Sequence, residues 1–297
     1  MIEYNPKSWV SLIFDVYSRY VIKSLFPLLA FMMVYSTFLT YVLVDIFEIH
    51  TFFEGAIVFH SLLGVVLGLF LVLRTNTAYD RWWEGRKLWG QLVNDTRSLS
   101  MKVNAYLPEK SRDDRSYFEH MIPNFVYAMK EHLRHGTKME ELEFENEYDE
   151  QKVKACDHKP NKINAMLFQR INAIFKKGEI TGEQLIIFDK EIKNFADIMG
   201  ACERIKTTPI PYSYSMYIKK FLFIYTMTLP LAFVVEFGYW TVVLVGLIFY
   251  ILVSIELIAE EIEDPFGKDI NDLPVERISM NIKRNVKEII QVDFPKK

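Results

Sequence analysis

The chain has 297 residues, of which 51% are apolar and 25% are charged, and its formal net charge is −3. The charged fraction is ordinary for a soluble protein, so the apolar excess must be concentrated in particular segments. The slightly acidic balance disfavours a nucleic-acid-binding protein, which would carry a basic patch. The two cysteines, Cys156 and Cys202, do not suggest a disulfide framework.

Four apolar runs predict four membrane-spanning helices. Residues 25–44 and 56–73 contain no charged side chain, and residues 221–235 and 239–255 form a second pair. A span needs roughly 20 apolar residues, so the third run requires its flanking residues to cross. Buried core helices are the alternative, but such helices usually keep a polar face that these runs lack. The first run is too long for the apolar region of a cleaved signal peptide.

The distribution of Lys and Arg predicts how these spans are oriented. Basic residues precede the first run, follow the second and precede the third, whereas the connectors 45–55 and 236–238 contain none. By the positive-inside rule, both termini and the long middle segment are expected in the cytoplasm. The sequence therefore predicts a multi-pass protein of the plasma (inner) membrane.

The predicted fold class is an all-α membrane protein with four transmembrane helices per subunit that extend into a helical cytoplasmic domain. Its predicted parts are an N-terminal cytoplasmic segment (1–24), the first two spans (25–73), a cytoplasmic helical region (74–218), the last two spans (219–259) and a C-terminal cytoplasmic segment (260–297). Neither a strand pattern nor an internal repeat is convincing in the sequence.

Helical patterns cover most of the middle segment. Residues 138–162 differ, because their many carboxylates predict a solvated, mobile loop. Helices are predicted over 78–107, which continues the second span, over 113–135 and 163–177, and after the capping box Thr181-Gly-Glu-Gln184. Near the C-terminus, a helical stripe is formed by Ile278, Ile282, Val286 and Ile289.

The second span carries a pattern that fits a pore wall. Val65, Leu69 and Leu73 recur every four residues and share one helix face. Gly64 and Gly68 lie beside that face, and small residues at this spacing let neighbouring helices approach closely. Packed around an axis, such helices would enclose a hydrophobic tube about 12 Å long, of the kind that gates ions by dewetting. Ordinary lipid-facing or helix-packing aliphatic residues are the alternative.

Three long motifs resemble the bestrophin family. They are LLGVVLGLFLVLRTNTAYDRWWEGRKLWGQL at 62–92, GACERIKTTPIPY at 200–212 and EDPFGKDINDLP at 263–274. The resemblance covers residues 60–275, with the motifs in the family's order. It implies a homo-pentameric ion channel in the lipid bilayer, with four spans per subunit, a second span that lines the pore, and a helical cytoplasmic body.

The resemblance also implies positions for two constrictions. The hydrophobic neck falls on Val65, Leu69 and Leu73, and the cytosolic aperture falls on Ile210, between two prolines that restrict the backbone. The segment after the neck would join the membrane bundle to the cytoplasmic body. Its aromatic and cationic residues suit a membrane interface, although they also suit simple anchoring: Arg74, Asn76, Arg81, Trp82 and Trp83.

The channel is expected to pass small monovalent ions, with cations slightly favoured and chloride as the alternative. An aliphatic neck offers none of the positive aromatic edges that animal bestrophins present to anions. Glu203, seven residues before Ile210, is a candidate for favouring cations near the inner mouth. A structural ion pair with Arg204 or Lys206 is the competing interpretation of Glu203.

No cofactor is expected, and metal sites are weakly indicated. Asp264, Asp269 and Asp272 are candidate calcium ligands, but Lys268 and Ile270 interrupt the acidic run that animal bestrophins use. Calcium takes about six to eight oxygens. The pairs His132–His135 and Cys156–His158 have ligand-like spacings, but the sequence shows no further cluster that completes a metal site.

Other classes of protein are less consistent with the sequence. A secondary transporter would show an inverted repeat, and an enzyme would show a motif such as G-x-S-x-G or H-E-x-x-H. A membrane scaffold that binds partners through residues 138–162 is the remaining rival. The ionisable residues His60 and Glu256 lie near the membrane boundaries, where packing roles are as consistent as functional ones.

Overall fold

The computed structural model describes residues 16–47 and 55–290, with the side chains of 16–19 omitted. The described helices are α1 (Val16–Tyr41, continued by a π-helical turn Val42–Ile46), α2 (Ala56–Tyr106), α3 (Arg112–His132), α4 (Glu147–Lys154), α5 (Lys159–Lys176), α6 (Gly182–Thr207), α7 (Tyr212–Phe237), α8 (Trp240–Glu263) and α9 (Val275–Ile290), with a short 3₁₀ turn at Met139–Glu141. The predicted all-α fold is confirmed.

Two compact units divide the chain. Of the residues that the structure describes, the first contains 16–47, 55–82, 209–264 and 269–271, and the second contains 83–208, 265–268 and 272–290. Four of the described helices are long and apolar enough to cross a membrane, judged by length and composition: Tyr20–Ile46, Ala56–Tyr106, Tyr212–Phe237 and Trp240–Glu263. The short third run therefore reaches spanning length through its flanking residues, as the sequence requires.

In the first unit, α1 packs mainly against α8, and α7 packs against both. The interior is an apolar cluster to which the second span contributes Leu67 and Leu71, alongside Leu222 and Leu229 of α7 and Phe249 of α8. This cluster holds one face of the second span firmly inside the subunit.

Helix α2 runs without interruption for 51 residues. Gly85 does not end it, in keeping with the predicted continuation of the second span to about residue 107. In the second unit, a Cβ atom at Gly85 would lie only 3.1 Å from the ring of Phe266 and 3.3 Å from Leu273. The glycine is therefore explained by close side-chain packing against the helix.

In the second unit, α3 packs against α5 and α9, and α5 packs against α6. Its core contains fully buried aromatic side chains, among them Phe118 and Phe125 of α3 and Phe188 and Phe195 of α6. The predicted capping box opens α6: Gln184 N donates to Thr181 Oγ1, and Thr181 N donates to Gln184 Oε1.

Two predictions about this unit were wrong in part. Residues 138–162 are not one loop, because they contain the 3₁₀ turn, helix α4 and the start of α5. Asn146 caps α4 by accepting from Asp149 N, and the acidic first turn of α4 suits the positive end of the helix dipole. The buried face of α9 is also offset from the predicted stripe: Ile282 and Val286 are buried, together with Val275, Ser279 and Ile290.

Candidate functional site: the second span and its cytoplasmic continuation

The predicted neck residues lie on the exposed face of α2. Val65, Leu69 and Leu73 are 64%, 62% and 56% exposed in the single chain. Leu67 and Leu71, on the opposite face, are fully buried in the first unit. The helix is therefore two-sided, with one apolar face used within the subunit and a second apolar face left for lipid or for another molecule.

The two glycines beside this face have different surroundings. A Cβ atom at Gly64 would lie 2.8 Å from the hydroxyl oxygen of Tyr225, so Gly64 permits close approach of α7 within the subunit. A Cβ atom at Gly68 would meet no heavy atom within 4 Å. Only Gly68, of this pair, is open to a partner outside the chain.

Arg74, the first charged residue after the neck, is buried and ion-paired. Its Nη2 lies 2.7 Å from Oε2 of Glu263, and its Nε lies 3.6 Å from Oε1 of Glu256. A guanidinium held at this depth needs such carboxylate partners, because an unpaired buried charge is costly. Glu256 of α8 thus has Arg74 of α2 as an ion-pair partner in the same chain.

Glu263 joins this ion pair to the predicted aperture. Its Oε1 accepts a hydrogen bond of 2.7 Å from the backbone N–H of Ile210, while its Oε2 binds Arg74. Arg81 Nε donates to the backbone oxygen of the same residue at 3.2 Å. One carboxylate therefore connects the inner end of the neck helix to the turn that contains Ile210. The sequence prediction missed Glu263, because the burial of Arg74, which requires a carboxylate partner, is not visible in the sequence.

Ile210 differs from the neck residues, because only 8% of it is exposed. It lies in the turn between α6 and α7, where Pro211 is the N-cap of α7. Its burial gives no support to an aperture formed by the side chain, whereas its backbone is fixed by Glu263.

The other junction residues have mixed surroundings. Trp82 donates its indole N–H to the backbone oxygen of Asn271 at 2.9 Å. Asn76 and Trp83 are exposed. His60, at the outer half of the span, is buried and lies 2.9 Å from Thr228 Oγ1 through Nε2. Trp82 and His60 are thus engaged within the subunit.

Glu203 has partners that the sequence prediction did not name. Its Oε1 lies 2.9 Å from Nε2 of His132 and 2.7 Å from Nε2 of His158. Burial alone would raise the pKa of the Glu203 carboxyl, but hydrogen bonds from His158 and His132 outweigh it and hold the pKa below its ordinary value. Arg204, one of the two pairing partners that the sequence offered beside Lys206, binds Glu84 at 2.7 Å.

The candidate calcium ligands differ in exposure. Asp264 and Asp269 are exposed, whereas Asp272 is buried in the second unit. Among the residues that the structure describes, the three metal-ligating side chains that come together are His132, His158 and Glu203.

Comparison with known proteins places the chain in a family. The model of bacterial and fungal bestrophin proteins matches residues 1–288. A voltage-dependent anion channel-forming protein of Nostoc sp. is 38% identical over 232 residues, which cover 76% of this chain and 75% of that protein. A protein of Synechocystis sp. with the same description is 35% identical over 233 residues, which cover 77% and 76% of the two chains.

A solved structure has the same fold. The crystal structure of a bacterial bestrophin homologue from Klebsiella pneumoniae matches with a TM-score of 0.80 at 26% identity, covering 90% of this chain and 98% of that chain. The fold and the apolar spans therefore define a membrane-spanning channel subunit. The chain belongs to the bestrophin family, whose members are channels and not enzymes.

Proposed function

We propose that this chain assembles as a homo-pentamer in which the five copies of α2 line a central pore for small monovalent ions. The observation that carries the proposal is the exposed face of α2, where Val65, Leu69 and Leu73 remain uncovered although Leu67 and Leu71 on the opposite face are buried. Aliphatic side chains brought together around an axis form a constriction that water leaves readily, which blocks ions until the constriction widens.

The inner end of the neck is stabilised by charge pairs. Arg74 binds Glu256 and Glu263, and Glu263 also holds the backbone of Ile210. We place the cytosolic aperture at this Pro209–Pro211 turn. Because Glu263 contacts both segments, a movement of the neck helix or of the turn would strain its bonds to Arg74 and to Ile210 N–H. This supports a coupled movement of the neck and the aperture.

A slight preference for cations is part of the proposal. Arg74 is compensated by two carboxylates, so the first charge after the neck gives no net attraction for anions. Glu203 contributes less than the sequence suggested, because two histidines already bind it. A chloride channel is the second candidate, favoured by the anion-channel descriptions of the Nostoc and Synechocystis relatives.

The membrane orientation is also proposed. The basic residues that flank the spans favour an inner-membrane protein with both termini in the cytoplasm. Arg74 and the Ile210 turn would then lie at the cytoplasmic end of the pore.

Native mass spectrometry tests the proposed subunit number. The detergent-solubilised protein is expected to give the mass of a pentamer.

Ion flux in reconstituted liposomes tests the function. Under a sodium chloride gradient, the reversal potential is expected to lie on the sodium side of zero, but well short of the ideal sodium value. A reversal potential on the chloride side would favour the second candidate. The absence of any current from correctly assembled protein would exclude the channel function.

A further inference from the structure

Three helices of the second unit bring together a cluster of metal-type ligands. His132 is the last residue of α3, His158 is the N-cap of α5, and Glu203 lies near the end of α6. One ligand atom from each of the three lies within 4.8 Å of the others. The two imidazole rings are 4.4 Å apart between centroids and tilted by 34°, so both present Nε2 to the same carboxylate oxygen.

The ligand set suits a borderline divalent metal. Two imidazole nitrogens and one carboxylate oxygen are the protein ligands of a familiar class of zinc site, in which solvent fills the fourth position. The present Nε2–Oε1 separations are 2.9 and 2.7 Å. Ligands of tetrahedral zinc lie about 3.4 Å apart, so the cluster has to open by roughly half an ångström to accept the ion.

Access and local charge also fit a metal ion. The side chains of His132, His158 and Glu203 are each about a third exposed, which leaves an approach from solvent. The adjacent cation Arg204 binds Glu84 at 2.7 Å, so its charge is compensated beside Glu203.

One hydrogen bond opposes metal binding, and its loss on metal binding can be measured. Asn161 N donates to Nδ1 of His158 at 3.2 Å, which places the imidazole proton on Nε2. A metal on Nε2 requires the proton to move to Nδ1, and the cap bond at the start of α5 is then lost. Metal binding should therefore loosen the first turn of α5.

We propose that His132, His158 and Glu203 form a binding site for a first-row divalent transition metal, with zinc as the preferred ion and solvent as the remaining ligand. The site lies outside the proposed pore wall and does not depend on the ion that the channel passes.

The test is metal titration of the full-length protein, with its affinity tag removed and bound metals stripped by a chelator. Isothermal titration calorimetry is expected to show one zinc ion per subunit, and cobalt is expected to give the visible absorption of a site with nitrogen and oxygen ligands. The variants His132→Gln, His158→Gln and Glu203→Gln should each weaken zinc binding by about tenfold or more. His135→Gln, at an exposed histidine three residues from His132, is the matched control and should bind zinc like the wild type.

Folding of each variant is checked by its melting temperature without metal, so that loss of the site is distinguished from loss of the fold. Hydrogen exchange at Asn161 should rise in the wild type when zinc is added. The proposal is overturned if the stripped wild type binds no zinc, or if all three folded variants bind as tightly as His135→Gln. In either case the cluster is a hydrogen-bonded His–Glu–His contact between helices.

Discussion

The two units of this subunit bury their large apolar side chains to very different extents. In the first unit, residues such as Val34 of α1 (70% exposed) and Val65 of α2 (64% exposed) lie on the outside. In the second unit, Phe125 and Phe195 are fully buried and stack with ring centroids 5.0 Å apart. The second unit thus supplies its own core, whereas the first is complete only with lipid and, on our proposal, with other copies of the chain.

The two units also differ in where their buried charged residues lie. In the first unit, Arg74 and its carboxylate partners stand at the end of the spans. In the second unit, Lys130 is fully buried among Glu131, Glu141 and Glu276. Substitutions in the second unit should therefore act mainly on stability, and substitutions on the exposed face of α2 should act mainly on ion flux.

The largest expected effect is that of Phe125→Ala. Removal of this buried ring leaves a cavity against Phe195, and we expect a loss of about 4 kcal/mol in unfolding free energy. Phe38→Ala, at an exposed phenylalanine of α1 in the first unit, should cost about 1 kcal/mol or less. Thermal unfolding in detergent compares the two. Equal losses would remove the contrast between the units.

Lys130→Met should have the next largest effect. It leaves the buried Glu131 carboxylate without one of its cationic partners, at an expected cost of about 3 kcal/mol at neutral pH. Lys193→Met is the control, because Lys193 is exposed and its pair with Asp197 is a surface pair. A melting temperature as high as that of the control would show that the Lys130 cluster contributes little.

The same variant has an expected pH dependence. Burial alone would raise the pKa of the Glu131 carboxyl, but hydrogen bonds from Lys138 and Lys130 hold it below its ordinary value. A lowered folded-state pKa stabilises the protein above the ordinary carboxyl pKa of about 4.3, and this stabilisation is lost as the pH falls through the lowered value. The difference in stability between wild type and Lys130→Met should therefore shrink in acid. A difference that grows in acid would contradict this account.

Glu263→Gln tests the contacts of this carboxylate with Arg74 and Ile210 in the first unit. It removes the charge that binds Arg74 but keeps an oxygen for Ile210 N–H, so we expect a loss of about 2 kcal/mol. Glu263→Ala removes both contacts and should cost more. Glu260→Gln is the matched control, since Glu260 is exposed and pairs with an exposed lysine. If Glu263→Gln and Glu260→Gln have the same melting temperature, the Glu263 carboxylate does not stabilise the contact between α2 and the Ile210 turn.

The parts of the fold that were predictable depend on local patterns. Charge-free runs identified the spans, and the repeat of Val65, Leu69 and Leu73 identified a face that the structure leaves exposed. The buried face of α9 was misplaced because Ser279, a small polar residue, is buried and donates its hydroxyl to Val275 O. A prediction from polarity leaves serine out of a buried face, although its hydroxyl can bond to a backbone oxygen of its own helix.

The contacts around Glu203 and Glu263 were beyond the reach of local patterns. Glu203 is 71 residues from His132 and 45 from His158, so only the packing of α3, α5 and α6 brings them together. Glu263 is 53 residues from Ile210. No periodicity relates such positions, and the burial of Arg74, which creates the need for a carboxylate, is seen only in the structure.

Thiol accessibility at the neck tests the central claim most directly. Leu69→Cys and Val34→Cys place a thiol on the exposed faces of α2 and α1, and the wild type with Cys156 and Cys202 is the background. A water-soluble, charged methanethiosulfonate reagent should strongly block the current of open Leu69→Cys channels and leave the currents of Val34→Cys and the wild type unchanged. An unchanged current through Leu69→Cys channels, with modification of the introduced thiol proven by mass spectrometry, would contradict a neck formed by this face of α2.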